Sequence, residues 1–211
     1  MKLSQGQIES GIEVGNHYNK YGSKNPIAQY LMRGFMHNLD DLVKASGQTE
    51  MHEIGCGEGV LSLRWLAQGM HVRACDFSDI AIRLAKENAT QQGVANSIFE
   101  QKNIYDLTLA DSAPLVVCCE VLEHLEFPEL ALQKLATIAQ PWLIVSVPRE
   151  PIWSFLNVMR GKYLTDFGNT PGHIQRWSKV DFIELVSQYF EVVSVRSPLP
   201  WTMLLCRAKG S

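Results

Sequence analysis

The chain is 211 residues long, with 46% hydrophobic and 19% charged residues, which suits one domain with a large core and is short for two. Nineteen Lys and Arg against 22 Asp and Glu leave a net charge of −3, which points away from a dedicated nucleic-acid binder without excluding a local basic patch. No apolar run reaches about 18 residues, so no membrane span is expected.

Pro26 opens a predicted helix to about Ala45, with Ile27, Leu31, Gly34, Phe35, Leu39, Leu42 and Val43 on one face. A strand is expected over 50–54, then a helix over 59–68. A second strand over 71–76 leads to a helix over 79–91, with Ser78 as N-cap. A third strand is expected over 97–102. The fourth, Leu115 to Cys119, is a solid apolar run, as in a sheet covered on both faces. A helix over 128–139 leads to a fifth strand over 143–147. Ser178-Lys179-Val180-Asp181 resembles a capping box, with Asp in place of Glu, and starts a helix to about Gln188. Two last strands are expected over 190–196 and 201–207. This order of elements is that of a doubly wound α/β domain.

The stretch Glu53-Ile54-Gly55-Cys56-Gly57-Glu58-Gly59 joins the first strand to its helix. Its alternate glycines let the chain turn sharply and let a ligand lie against bare main chain. The helix behind it points free N–H groups at that ligand. Asp76 ends the second strand, 17 residues after Gly59, where a carboxylate can accept from both hydroxyls of a ribose. A dinucleotide fingerprint needs a third small residue where this chain has Val60, and the acid Glu53 would repel a pyrophosphate. A bare glycine turn without a cofactor is the plainer alternative.

The E-x-G-x-G-x-G pattern resembles motif I of the class I S-adenosylmethionine (SAM) methyltransferases. The resemblance covers about 50–207 and implies SAM as cofactor. It also implies a Rossmann-like doubly wound seven-stranded sheet, mostly parallel with an antiparallel last strand and helices on both faces. The cofactor-binding residues it marks are Glu53, Gly55, Cys56, Gly57, Asp76, Phe77, Asn103, Ile104 and Glu120. Glu53 suits the cationic end of SAM. Phe77 and Ile104 either flank the adenine or pack the core. Asn103 stands where the family usually has an acid, and its amide can still accept from an adenine amino group.

After the fourth strand comes Glu120-Val121-Leu122-Glu123-His124, with His173 downstream. If the segment turns helically, Glu120, Glu123 and His124 share one face. This E-x-x-E-H…H arrangement is similar to that of the ubiquinone-biosynthesis O-methyltransferases and of the small-RNA 3′-terminal ribose methyltransferases. The resemblance implies Mg²⁺ or another divalent cation on Glu120, Glu123, His124 and His173. Alternatively His124 or His173 acts as general base, with Glu123 beside it, or merely caps a loop. The methyl acceptor expected is a hydroxyl, less readily an amine, of a small-molecule metabolite. Methylation of an RNA 3′-terminal ribose and a non-catalytic SAM-binding domain are the alternatives.

One domain over 1–211 is expected, with an N-terminal cap and helix over 1–48 and a substrate-lid insertion over 148–177. The cap holds the polar and aromatic stretch 17–25. The lid holds Trp153, Phe155, Leu156, Met159, Tyr163, Leu164 and Phe167, with 152, 155, 156 and 159 on one helical face. Arg149, Arg160 and Lys162 stand near its mouth, more readily as solvated surface than as substrate contacts. Cys56, Cys75, Cys118, Cys119 and Cys206 form no C-x-x-C pair and are expected to be reduced and mostly buried. With no secretory signal visible, the expected location is the cytoplasm.

Overall fold

The computed structural model describes residues 1–4, 8–9, 12–13, 23, 25–159 and 173–210. Two short strands, β1 (Ile8–Glu9) and β2 (Ile12–Glu13), form an antiparallel pair ahead of the first helix. Helix α1 (Pro26–Ser46) is capped by the Asn25 side chain, which accepts from the N–H groups of Ile27 and Ala28. It stops at Gly47, which takes the left-handed conformation that ends many helices.

Strand and helix then alternate: β3 (Glu50–Ile54), α2 (Val60–Ala67), β4 (His71–Asp76), α3 (Asp79–Gln91) and β5 (Phe99–Gln101). The second half holds β6 (Ala113–Cys119), α4 (Pro128–Ile138), β7 (Ala139–Pro148), α5 (Ile152–Met159), α6 (Lys179–Ser187), β8 (Phe190–Arg196) and β9 (Trp201–Ala208). The expected caps form: Ser78 accepts from Ala81 N–H, and Ser178 and Asp181 make a reciprocal capping box. The third strand is shorter than its apolar pattern, because Asn96–Ile98 tighten into a 3₁₀ turn.

The seven long strands form one sheet in the order β5-β4-β3-β6-β7-β9-β8. Pairing is parallel except that β9 runs antiparallel to both β7 and β8. The last strand is therefore the reversed one, as the resemblance implied. The chain winds outward from β3 through β4 to β5, then returns to lay β6 on the other side of β3. A crevice at the carboxyl ends of β3 and β6 is the expected ligand position of such a sheet.

Both faces of the sheet are covered. On one face Leu115, Val117, Ile144, Met203 and Leu205 pack with Phe35, Leu39 and Leu42 of α1 and Leu61 and Trp65 of α2. On the other, Val116, Cys118, Val145 and Leu204 pack with Leu132 and Leu135 of α4 and Phe182 and Val186 of α6. Residues 115–118 alternate between these clusters, which is why β6 reads as continuously apolar. The apolar face of α1 differs from expectation at its start. Ile27 is 69% exposed, and Met32 is buried instead. Steps of four drift by roughly 40° each, so Ile27 turns away from the Phe35–Leu39 stripe.

The five cysteines are free; Cys56, Cys75, Cys118 and Cys206 are buried and Cys119 is half-buried. Among the described residues, no helix is long and apolar enough to cross a membrane.

Candidate cofactor crevice and catalytic cluster

The glycine turn is locked to the neighbouring strand through main chain and side chain together. Gly55 and Cys56 donate their N–H groups to the Cys75 carbonyl. Gly57 donates to Asp76 Oδ2 at 2.9 Å, and Ser78 donates to Asp76 Oδ1 at 3.0 Å. Each carboxylate oxygen keeps a second lone pair for a ligand hydroxyl. Burial holds the Asp76 carboxyl above its ordinary range, and the two N–H bonds work against that shift.

The glycines do more than admit a ligand. Gly55 has φ 77°, and a Cβ built there would overlap the Val121 side chain. Gly59 has φ 79°, and its Cβ would meet the Phe99 ring at 2.7 Å. Close packing against Val121 and Phe99 therefore excludes side chains at two of the three positions, a role that the spacing alone does not reveal.

Glu53 is buried at the end of β3, and its carboxylate accepts from the Ser62 hydroxyl. Burial pushes its pKa up to about 8, with Ser62 opposing and Asp76 adding to the rise. The Cys56 thiol beside it is also buried and pushed well above the ordinary thiol range. Sequence reasoning missed the N-terminal residues that reach this turn. Ser4 donates to the buried Glu58 carboxylate through both N–H and hydroxyl, at 3.1 and 2.8 Å. Glu9 accepts from Ser78 Oγ at 2.5 Å and from the N–H groups of Asp79 and Ile80 at the start of α3. Local sequence patterns hold no signal for contacts separated by 54 and 69 positions. In the stretch expected to cap the site, 17–22 and Lys24 lie outside the described residues.

The adenine-side candidates divide. Phe77 is 37% exposed beside Asp76, whereas Ile104 is 6% exposed and packs in the core with Leu107 and Leu122. Asn103 caps the turn Ile104–Asp106, its Oδ1 accepting from Tyr105 N–H.

At the end of β6 the segment Leu122–His124 forms a 3₁₀ turn. Glu123 is 2% exposed, and its Oε1 lies 3.9 Å from His124 Nε2. The Glu123 carbonyl accepts from the N–H groups of Ile174 and Gln175, which docks the segment carrying His173. The His124 and His173 rings meet edge to face with centroids 4.8 Å apart. Ligand atoms of Glu123, His124 and His173 all lie within 4.8 Å of one another, so one carboxylate and two imidazoles converge. Such a donor set fits a divalent cation. Glu120 is not in that group. Its Oε1 accepts from Ser146 Oγ at 2.8 Å and its Oε2 from Trp201 Nε1 at 2.7 Å.

Part of the stretch expected as a lid lies within the described residues. Helix α5 forms over Ile152–Met159, and its Trp153 ring lies 5.8 Å from that of His173. Arg149 bridges to Trp177. The side chains of Phe155 and Met159, and Arg160, Lys162, Tyr163, Leu164 and Phe167, lie outside the described residues.

A family model described as "Methyltransferase domain" matches residues 52–144. A ubiquinone biosynthesis O-methyltransferase from Cupriavidus pinatubonensis is 33% identical over 105 residues, 49% of this chain and 41% of that protein. One from Nitrosomonas europaea is 28% identical over 129 residues, 58% of this chain and 54% of that protein. The chain thus spans about half the length of the curated relatives it matches. In fold it is similar to the magnesium protoporphyrin IX methyltransferase of Synechocystis PCC 6803, solved with bound SAH. That match has a TM-score of 0.67 and 20% identity, and covers 89% of this chain and 90% of that one. With its glycine turn, its acid at the end of β4 and this sheet order, the chain carries over residues 52–144 a stretch that matches a methyltransferase domain, and its fold is similar to that of class I SAM-dependent methyltransferases.

Proposed function

We propose that the protein is an enzyme that binds SAM and transfers its methyl group to a hydroxyl of a small molecule, assisted by a divalent cation. The observation that carries this reading is the adjacency of two sites along one sheet edge. Gly57 and Asp76 form one hydrogen-bonded wall at the ends of β3 and β4, and Glu123, His124 and His173 converge beyond the neighbouring β6. The curated relatives are named as O-methyltransferases, which supports a hydroxyl as acceptor.

In this reading Asp76 holds the ribose, and Glu53 faces the cationic end of the cofactor. Gly55, Cys56 and Gly57 line the turn, while Phe77 and Asn103 bound the adenine and Ile104 supports them from the core. SAM supplies an already activated methyl, and the cation would lower the pKa of the accepting hydroxyl. Glu123, His124 and His173 would hold that cation. In the alternative scheme without a cation, an imidazole of His124 or His173 would itself take the hydroxyl proton, worth roughly 10²–10⁴-fold. The connection 148–177 acts as the lid, with Trp153 excluding water and fixing the acceptor. Alignment of this kind can supply on the order of 7–11 kcal/mol.

Isothermal titration with SAM tests the proposal. Binding is expected, and no heat up to about 1 mM, the upper end of common KM values, would overturn it. Replacement of His124 and His173 by Ala is expected to leave SAM binding intact and to abolish most turnover. Unchanged turnover would remove both from the catalytic machinery.

A further inference from the structure

We propose that Glu120 is a positioning residue that sets the His173 imidazole through a ladder of aromatic rings, and is not itself a cation ligand. The proposal rests on reading Glu123, His124 and His173 as the cation site.

Among the described residues, Glu120 is the non-glycine residue with positive φ, at 58°. A side chain takes that conformation only where its surroundings hold it there. The surroundings here are two strands. Glu120 donates its N–H to the Ser146 carbonyl at 3.0 Å, and its Oε1 accepts from Ser146 Oγ at 2.8 Å. Both bonds tie it to β7. Its Oε2 accepts from Trp201 Nε1 at 2.7 Å, which ties it to the first residue of β9.

The Trp201 indole is 4% exposed and carries the contact onward. Its ring centroid lies 4.9 Å from that of Phe35, in an edge contact, and 5.9 Å from that of Trp153. Trp153 lies 5.8 Å from His173, tilted by 30°, and His173 lies 4.8 Å from His124. The main chain beside His173 is fixed independently, by the bonds of Ile174 and Gln175 to the Glu123 carbonyl. Backbone docking places His173, and the ring ladder sets the angle of its imidazole. If the carboxylate turned to a cation, the buried indole N–H would lose its acceptor.

A ligand and a positioning group differ in their need for charge. Glu120→Gln can keep both side-chain bonds, its amide oxygen accepting from Trp201 and its amide nitrogen donating to Ser146 Oγ. Glu120→Ala removes both. With Mn²⁺ as probe, read by electron paramagnetic resonance of the free ion, Glu120→Gln is expected to bind within about twofold of the parent. Glu120→Ala is expected to bind about tenfold more weakly or worse, the usual effect of losing an outer support. Equal loss in both variants would show that the charge itself is required and would overturn the proposal.

A second readout needs no cation. In ¹H–¹⁵N and imidazole C–H spectra of the cation-free protein, Glu120→Ala should move the resonances of Trp201, Trp153 and His173. Trp201→Phe, which keeps the packing and removes only the donor, should move those of Trp153 in the same direction. Trp153 and His173 resonances that stay in place in both variants would overturn the proposal. No Mn²⁺ binding by the parent, with the ring shifts present, would instead remove the cation reading and leave the ladder standing.

Discussion

The backbone N–H of Gly57 donates to Asp76 Oδ2 at 2.9 Å, so the glycine turn and an acid 19 residues away form one wall. Gly57 is not merely bare main chain for a ligand to approach. It orients the carboxylate expected to hold the ribose, with Ser78 N–H fixing the other oxygen.

Asp76→Asn is therefore expected to damage more than a ligand contact. An amide offers one oxygen where two N–H donors converge, so its NH₂ must face either Gly57 or Ser78. An unsatisfied buried donor costs about 1–3 kcal/mol. Chemical denaturation of the ligand-free variant should show a loss in that range, and titration should show SAM affinity lowered by at least about tenfold. A variant as stable as the parent would mean that the wall is held by other contacts.

Glu53 makes both stability and cofactor affinity depend on pH. Its pKa is about 8 in the folded chain, against an ordinary 4.5, because burial disfavours the charged form. The folded state then binds more protons than the unfolded state between these values, and stability falls as pH rises from about 4.5 to 8. Glu53→Gln should flatten that fall in a series of denaturation midpoints. A cationic ligand beside Glu53 favours its ionised form, so SAM binding at pH 7 should release a proton. Calorimetry in buffers of different ionisation enthalpy measures that release, and proton uptake would contradict the placement.

Gly55→Ala adds a methyl where Val121 already sits, at a backbone angle of φ 77°. Overpacking of this kind costs about 1–3 kcal/mol, and the left-handed backbone adds to it. The double variant Gly55→Ala, Val121→Ala should recover part of the loss relative to the sum of the single variants. Additive effects would show that backbone strain alone is responsible.

The cluster of Glu123, His124 and His173 predicts a thermal response to cations. A cation that binds the folded chain at about 100 times its Kd adds about 2.7 kcal/mol, roughly 5–10 °C in Tm for a chain of this size. Differential scanning fluorimetry with Mn²⁺ and with chelator should show that rise and its loss. Glu123→Gln should abolish the rise, since it removes the only carboxylate of the converging group. A rise that survives in Glu123→Gln would place the cation elsewhere.

Most secondary elements could be read from the chain itself because their signals are local. Ser78, the Ser178–Asp181 box and the apolar run of β6 each act within a few residues, and all three form as expected. That Glu53 and Asp76 flank the glycine turn was legible because parallel strands bring neighbouring carboxyl ends to one edge, with Glu53 opposite Ala74 and Ile54 opposite Cys75. Only the tertiary structure decided what Glu120 does. Its spacing to Glu123 and His124 matches a ligand set, yet its carboxylate bonds to Ser146 and to Trp201, 81 positions away. The same holds for Val121 against Gly55 and for Glu9 at the start of α3. Side-chain periodicity specifies which face of an element is buried. Which distant group that face meets depends on strand order and register, and these are set by the packing of the whole sheet.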